Sequence, residues 1–264
     1  MKNGKDTDFY KEVIYKYIDL IYRKEQDIIN FPPKEEWEIR PHKMNTEIHL
    51  QQIKLVTFSA RLNILIASYS KGSTKEELRS QFSEAVKVMA EVWDRGIVKM
   101  HMGKAQKEID VYYITHTFYM RWMLSLAVLL DVPEDEFQIV INLVKRDNIK
   151  DALYDICIQT KIKNWQISDE VRPLKPKNKI IDIINEPDKD KAKKMTKAYL
   201  EKQWFKTFKN LGGWEKPDAD KFDVKSGFVG FWAFEVAAVV KIKALDDSSF
   251  RENRFYPDRL MQEE

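Results

Sequence analysis

A stripe of apolar side chains near the N-terminus constrains the fold of this chain more than any other feature. Five apolar residues recur there at intervals of three, four or seven, which places them on one face of an α-helix: Tyr10, Ile14, Tyr17, Ile21 and Ile28. The stripe predicts an amphipathic helix over residues 7–29, and the Phe-Pro-Pro sequence at 31–33 stops it. The first element is therefore predicted to be a helix that buries one face.

Apolar periodicity predicts helices along most of the remaining chain. The further predicted spans are residues 45–70, 73–103, 112–130, 134–145, 148–162, a helix around 192–211, and 229–242. Only 8 glycines and 9 prolines occur among 264 residues, fewer than the turns of many short strands require. Residues 165–187 lack a pattern and are predicted to form a partly extended surface loop. The fold class is therefore predicted to be all-α, with two packed helical domains.

Two local signals organise these helices. The clearest helix start is a capping box, in which a hydroxyl accepts a hydrogen bond from the third residue's amide while an acid at that residue reaches back. Both Ser73 and Thr74 are followed by such an acid. The clearest break is Val132–Pro133, after which three acids favour the positive end of a new helix. We predict an N-terminal helical domain at residues 1–131 and a C-terminal helical domain at residues 132–264.

Composition predicts a cytoplasmic protein that does not enter the membrane. Cys157 is the single cysteine, so the chain has no internal disulfide, and its isoleucine neighbours indicate a buried thiol. The N-terminal residues alternate charges and lack an apolar signal core. The longest apolar stretch, Trp122 to Leu130, is far shorter than the roughly 20 residues that cross a bilayer.

Motifs of known chemistry do not assemble in this sequence. The four histidines are scattered and the single thiol lies far from them, so a zinc site is unsupported, and no phosphate-binding glycine loop or nucleophile elbow occurs. We therefore predict no catalytic residue, no cofactor and no metal ligand.

Two alternative functions stay open from the residues alone. A metal-dependent nuclease places a Pro-Asp pair and an acid-x-Lys set on neighbouring strands, and Pro187–Asp188, Pro217–Asp218 and Asp223 with Lys225 supply such pieces without a strand to carry them. A helical nucleic-acid-binding module would use a basic loop at residues 172–179, whose bases are Arg172, Lys175, Lys177 and Lys179. The acids around that loop and a net charge of only +3 disfavour nucleic-acid binding.

One acid in an apolar helix raises a separate question. Glu235 lies within VGFWAFEVAAVVKI, and on a helix none of its neighbours three or four residues away could pair with it. A buried carboxylate without a partner would cost several kcal/mol or take up a proton. We therefore expect its partner, a backbone amide, a tyrosine hydroxyl or a cation, to come from another element, which makes Glu235 structural rather than catalytic.

The last part of the chain, GFVGFWAFEVAAVVKIKALDDSSFRENRFYPDRL from Gly227 to Leu260, resembles the closing signature of the PoNi family. The residues that carry this resemblance, interpreted as structural, are Phe231, Trp232, Phe234, Glu235, Asp246, Asp247, Tyr256 and Pro257. The stretch YSKGSTKEELRSQFSEAVKVMAEVW, Tyr69 to Trp93, resembles the corresponding helix start in the family's N-terminal domain.

The resemblance implies a function class. PoNi proteins are immunity proteins, built from two helical domains, for the polymorphic nuclease toxins that bacteria deliver into rivals. It implies that this chain binds a cognate nuclease (DNase) toxin stoichiometrically and keeps it from DNA without chemistry of its own. It leaves open which toxin is bound, whether the active site or a neighbouring surface is blocked, and whether the chain forms homo-oligomers.

A partner of this kind must present positive charge to DNA, so local negative charge would assist its association. Residues 131–160 hold seven acids against three bases. We predict that six of these acids contact the toxin, three at a helix start and three at intervals of four along one face of the next helix: Glu134, Asp135, Glu136, Asp147, Asp151 and Asp155. The competing interpretation is that they only cap helices and solvate a face.

Overall fold

The computed structural model describes residues 4–33, 46–172, 179–212 and 222–262. Within these residues the chain forms eleven α-helices and one two-stranded hairpin. In chain order they are α1 (Thr7–Ile29), α2 (Thr46–Lys71), α3 (Lys75–Val92), α4 (Arg95–Val98), β1 (Lys99–Met102), β2 (Lys107–Tyr112), α5 (Ile114–Leu130), α6 (Glu134–Asp147), α7 (Ala152–Gln159), α8 (Ile180–Asn185), α9 (Lys189–Lys202), α10 (Trp204–Gly212) and α11 (Phe234–Lys243). The predicted all-α class is confirmed.

Side-chain caps mark the starts of α1 and α3, and the capping box predicted for α3 is present. At α1 the carboxylate of Asp6 accepts a hydrogen bond from the backbone N–H of Phe9 at 2.8 Å. At α3 the structure uses Thr74 of the two candidate hydroxyls. Its Oγ1 accepts from the amide of Glu77 at 3.2 Å, and the Glu77 carboxylate accepts from the amide of Thr74 at 3.0 Å.

The hairpin β1–β2 lies where the third helix was predicted to continue to Gly103. That helix ends at Val92, and Asp94 caps the single turn of α4 by accepting from the amide of Gly96 at 2.8 Å. Gly103 takes a φ of 75° in the turn between the strands, a conformation that glycine adopts without steric cost. The helix α3 therefore ends at Val92, eleven residues before the predicted end at Gly103.

The structure differs from four other predicted spans. The predicted helix 148–162 begins only at Ala152, because Asn148 turns out of α6 with a φ of 54°. The predicted helix around 192–211 is broken at Gln203 into α9 and α10, and the predicted loop 165–187 contains α8. The stretch that carries Glu235 becomes helical only at Phe234.

The chain divides into two compact units that do not follow the predicted domain boundary. The N-terminal unit comprises the described residues of Asp6–Ile109 and Phe222–Val229. The C-terminal unit comprises those of Asp110–Lys221 and Gly230–Glu264, together with residues 4–5. The predicted division after residue 131 would separate α5 from α7 and α11. The structure packs α5 against both of these helices within one unit.

In the N-terminal unit, α1 packs along α2, and α2 packs against α3. Tyr10, Val13 and Ala67 form a buried cluster between α1 and α2. The segment Phe222–Val229 returns to this unit late in the chain and packs against the same cluster through two of its valines. The inner face of α1 is therefore covered by α2, the next helix in the chain, and by the segment Phe222–Val229, which lies some 200 residues further on.

Hydrogen bonds hold the returning segment in place. The hydroxyl of Tyr17 donates to the backbone carbonyl of Gly227 at 2.8 Å, and the hydroxyl of Ser70 donates to that of Val229 at 2.5 Å. Gly227 has a φ of 67°, and a Cβ at this position would lie 2.6 Å from the Tyr17 hydroxyl. Only glycine satisfies both the left-handed backbone and this close approach.

In the C-terminal unit, α5 lies at the centre, since α6, α7 and α11 all pack against it. An aromatic cluster joins α10 to the segments around α11. Trp204 stacks on Phe208 with ring centroids 5.1 Å apart, and it lies 4.8 Å from Phe255. This arrangement places both α5 and Trp204 next to the helix that carries Glu235.

Candidate partner interface

The three acids at the start of α6 lie at or near the surface. Glu134 and Asp135 are exposed, and Glu136 is half-buried. Glu134 makes an ion pair with Lys161 at 2.8 Å, and 63% of its side-chain surface remains accessible. These residues occupy the positive end of the α6 dipole, as the sequence predicts. Their contact with a partner stays a prediction.

Asp147 is fully buried at the end of α6. One carboxylate oxygen accepts a hydrogen bond from the hydroxyl of Tyr112 at 2.6 Å, and the other accepts from Nε of Arg146 at 2.7 Å. Tyr112 is the last residue of β2, so this carboxylate binds the end of that strand to the end of α6. Its bonding capacity is used inside the chain.

Asp151 is also fully buried and caps α7. It accepts hydrogen bonds from the backbone N–H groups of Leu153 and Arg172, both at 2.9 Å. Nη2 of Arg121 lies 3.3 Å from the same carboxylate and donates to the carbonyl of Arg172 at 2.6 Å. Burial raises the pKa of the Asp151 carboxyl, while the Arg121 charge and the two amides oppose that shift. Asp151 and Arg121 together attach the chain at Arg172 to the core.

Asp155, one turn further along α7, attaches the same loop at a second point. Its carboxylate accepts from Nε1 of Trp165 at 2.7 Å and from the backbone N–H of Ser168 at 2.8 Å. Only 2% of its surface is accessible. The two carboxylates of α7 therefore fix the described part of the loop that follows the helix, between Trp165 and Arg172.

The predicted acidic docking face is therefore wrong in its geometry for three of the six residues. Asp147, Asp151 and Asp155 do recur at intervals of four, but α6 ends at the first and α7 begins after the second, so no single helix carries all three. All three carboxylates point inward and bind other parts of the chain. Regular spacing locates acids on one side only when the helix is continuous.

Glu235 has the structural partner that its position requires, and this partner does come from another element. Its Oε1 accepts a hydrogen bond from Nε1 of Trp204 at 2.7 Å, and 5% of the residue is accessible. The donor is an indole, rather than the amide, hydroxyl or cation that was expected. Burial raises the pKa of Glu235, whereas the positive charge of Arg121 and the Trp204 hydrogen bond both lower it.

The other signature residues form the core and turns around α11. Phe231, Trp232, Phe234, Tyr256 and Pro257 are buried. Asp246 accepts hydrogen bonds from the amide of Ser248 at 3.0 Å and from its hydroxyl at 2.9 Å, and also from Lys193, so that its pKa falls to about 2. Asp247 is buried and pairs with Arg251. The signature residues thus contribute to the packing of the described chain around α11.

The two described acids of the nuclease alternative, Asp188 and Asp223, serve as helix caps. Asp188 accepts from two amides at the start of α9, and Asp223 accepts from the amide of Ser226 at 2.9 Å in a short 3₁₀ turn. Pro217, Asp218 and most of the basic loop lie outside the described residues. Among the residues that are described, no three His, Cys, Asp or Glu side chains come together as metal ligands.

Two further properties follow from the described part of the chain. Cys157 is a buried free thiol whose pKa burial raises to about 12, which makes it unreactive near neutral pH. No helix in these residues is both long enough and apolar enough to cross a bilayer.

The sequence analysis did not identify Arg121, which pairs with Asp151, or Trp204, which donates to Glu235. Arg121 is 2% accessible and is the one cation of α5. A signal for it was present, since a lone base in an apolar helix and a lone acid in another apolar helix, Glu235, are complementary charges. No comparable signal marked Trp204, because a tryptophan on an amphipathic helix is ordinarily a core residue.

Together the fold and these contacts define an all-α protein of two compact units, in which the signature residues build the core of the second. The chain matches the model of the PoNe immunity protein (PoNi) N-terminal part over residues 4–142, and that of the C-terminal part over residues 149–260. The chain therefore belongs to the PoNe immunity protein family.

A solved structure shows the same fold at low sequence similarity. The crystal structure of protein PA2201 from Pseudomonas aeruginosa is 16% identical and superposes with a TM-score of 0.66, covering 98% of this chain and 89% of that one. No curated protein sequence matches the chain.

Proposed function

We propose that this protein neutralises a cognate PoNe nuclease toxin by binding it stoichiometrically in the cytoplasm, without catalysing a reaction. The observation that carries the proposal is the match to both parts of the PoNe immunity proteins, which extends from residue 4 to residue 260 with a short gap. An immunity protein acts through recognition, so a rigid scaffold and an accessible surface are sufficient for its function.

The internal contacts of the C-terminal unit support this proposal. The ionisable groups most suggestive of chemistry, Asp147, Asp151, Asp155 and Glu235, are each hydrogen-bonded to another part of the chain. Groups held in this way stabilise a fixed scaffold. Such a scaffold lowers the entropy cost of binding because little has to be ordered when the partner arrives.

The nuclease alternative makes a different prediction that is simple to test. The purified protein should leave linear and plasmid DNA intact in Mg²⁺ or Mn²⁺, because Asp188 and Asp223 cap helices. Metal-dependent cleavage that disappears in Asp223→Ala would favour the nuclease. Cleavage that persists in that variant would indicate a contaminating enzyme.

Immunity proteins are encoded beside their toxins, so binding is tested with the toxin expected from the reading frame next to the gene for this protein. An inactive variant of its nuclease domain should form a complex with the protein that remains intact in gel filtration at physiological salt, and calorimetry should give a ratio near one to one. Co-expression of the protein should also protect cells from the active nuclease domain. Lack of both complex formation and protection would refute the proposal.

A further inference from the structure

The outer face of α1 carries an apolar stripe that the fold leaves in solvent. Four large apolar side chains on this helix are exposed, with accessible fractions of 69% for Tyr15, 49% for Ile18, 61% for Tyr22 and 72% for Ile29. At about 100° of rotation per residue, all four lie within about 60° of one another around the helix axis. They form one continuous strip, which we call the α1 stripe.

The α1 stripe is separate from the face that holds the helix in the fold. The buried residues Tyr10, Val13 and Ile21 lie on the inner side of α1, next to α2 and the returning segment. The helix therefore has two apolar faces, and a single one is enough to anchor a surface helix. Contiguous apolar groups that remain exposed commonly mark a binding site.

The composition of the stripe is that of a protein interface. Tyrosine is enriched in binding hot spots because its ring provides a large contact area with few rotatable bonds. Two of the four exposed residues are tyrosines, separated by two helical turns, with Ile18 between them. A tyrosine ring also attracts the cationic groups of lysine and arginine.

Carboxylates border the α1 stripe and give its surroundings a net negative charge. The acids on the outer part of α1 are Asp8, Glu12, Asp19 and Glu25, all of them exposed. Two bases lie among them: Lys11 pairs with Asp8 at 2.8 Å, and Arg23 pairs with Asp19 at 2.9 Å. Four acids against two bases leave a balance of −2. The balance stays negative when Arg61 of α2, 3.7 Å from Glu25, is counted.

We propose that the α1 stripe is the surface that docks the toxin, and that its occupant is the toxin's positively charged nucleic-acid-binding face. Tyr15 and Tyr22 contact the apolar stems and cationic ends of lysine or arginine side chains, Ile18 fills the centre, and the bordering acids orient the approach. Occupying that face keeps DNA from the nuclease. This inference rests on the proposed function, because the occupant is the toxin of that proposal.

The test removes the stripe and measures toxin binding. The triple variant Tyr15→Ala, Ile18→Ala, Tyr22→Ala is compared with wild type by biolayer interferometry, using the inactive nuclease domain of the toxin encoded beside the gene. A matched control removes three exposed apolar side chains elsewhere: Met102→Ala, Tyr113→Ala, Ile167→Ala. Circular dichroism and thermal melts establish that each variant is folded. We expect affinity to fall about 100-fold or more in the stripe variant, as for loss of a hot spot, and less than about threefold in the control.

Each other outcome overturns the inference. A folded stripe variant that binds the toxin as wild type does shows that docking occurs elsewhere, while the proposed function stands. Equal losses in both triple variants show a general effect of apolar surface. If wild type sediments as a dimer and the stripe variant as a monomer with unchanged toxin affinity, the stripe serves self-association. Absence of toxin binding by wild type itself refutes the proposed function, and this inference with it.

Discussion

Two groups of side chains depart from the usual distribution of polar and apolar residues, and they do so in opposite directions. In the C-terminal unit, charged groups lie in the core: Arg121, Asp151, Asp155 and Glu235 are each 5% accessible or less. In the N-terminal unit, large apolar groups lie in solvent: Tyr15, Ile18, Tyr22 and Ile29 are 49% accessible or more. Each group is unusual for its environment, yet the two have different physical explanations.

The difference lies in whether the chain itself supplies the partner. The buried acids bind an arginine, two indoles and several backbone amides of the same unit, so each acid has at least one partner within the fold. The α1 stripe lies opposite the face that anchors its helix. Unusual residues with internal partners contribute to stability, and those exposed to solvent are available for a second molecule. Substitutions should therefore separate stability from binding.

The largest loss of stability should follow removal of Asp151. Asp151→Ala leaves the guanidinium of Arg121 buried without its carboxylate, and breaking a buried ion pair in this way typically costs about 3–5 kcal/mol. Urea denaturation measures the free energy of unfolding. The exposed acid Asp169 provides the control, since Asp169→Ala should change stability by less than about 0.5 kcal/mol. Equal effects of the two substitutions would contradict the structural role of Asp151.

Truncation of the Glu235 side chain should cause the next largest loss of stability. Glu235→Ala creates a cavity and leaves the Trp204 indole N–H without its acceptor, which should reduce stability by about 2–4 kcal/mol. Toxin binding should weaken only as far as the folded fraction falls. A Glu235→Ala protein that is as stable as wild type but fails to bind toxin would place Glu235 at the interface.

The titration of Glu235 should make the stability of the protein depend on pH. Its pKa is raised above the ordinary value of 4.5 by burial, so the folded protein holds this proton more tightly than the unfolded chain does. As pH rises above about 4.5, wild type should therefore lose stability relative to Glu235→Gln, until the folded-state pKa is passed. Paired urea titrations between pH 4.5 and pH 8 measure this difference. A difference that changes in the opposite direction would mean that Arg121 and Trp204 outweigh burial.

The smallest effects on stability are expected when tyrosine is replaced by phenylalanine, once on each face of α1. Tyr17→Phe removes the hydroxyl that donates to Gly227 and should cost about 1 kcal/mol, the usual net value of one hydrogen bond. Tyr22→Phe removes a hydroxyl from the exposed stripe and should change stability by less than about 0.5 kcal/mol. If Tyr22→Phe costs as much as Tyr17→Phe, the outer face contributes to the fold.

Local signals in the sequence predicted most of the fold, because they depend on residues close together in the chain. The buried apolar face of α1, the Thr74 capping box and the start of α6 are all signals of this kind. The return of Phe222–Val229 to α1 could not be predicted in this way, because its partners lie some 200 residues away and mark it with no local pattern.

The site was predicted less well for a related reason. The spacing of Asp147, Asp151 and Asp155 was read as one exposed face, but burial depends on which groups other elements supply, here Tyr112, Arg121 and Trp165. Aspartate is a favoured N-cap residue, so Asp151 was a local signal that would have placed the start of α7 correctly at Ala152. The exposure of the outer face of α1 could not be predicted either, because the sequence does not show which elements pack against the helix.

The central claim is that this protein inhibits a nuclease toxin by occupying it, and a titration of DNA cleavage tests this directly. Increasing amounts of the protein are added to a fixed amount of the active nuclease domain encoded beside its gene, and residual cleavage is measured at a toxin concentration well above the dissociation constant. We expect cleavage to fall linearly and to end at one mole of protein per mole of toxin, because each molecule removes one nuclease. Full inhibition at a small fraction of one equivalent, or undiminished cleavage at several equivalents, would contradict the account.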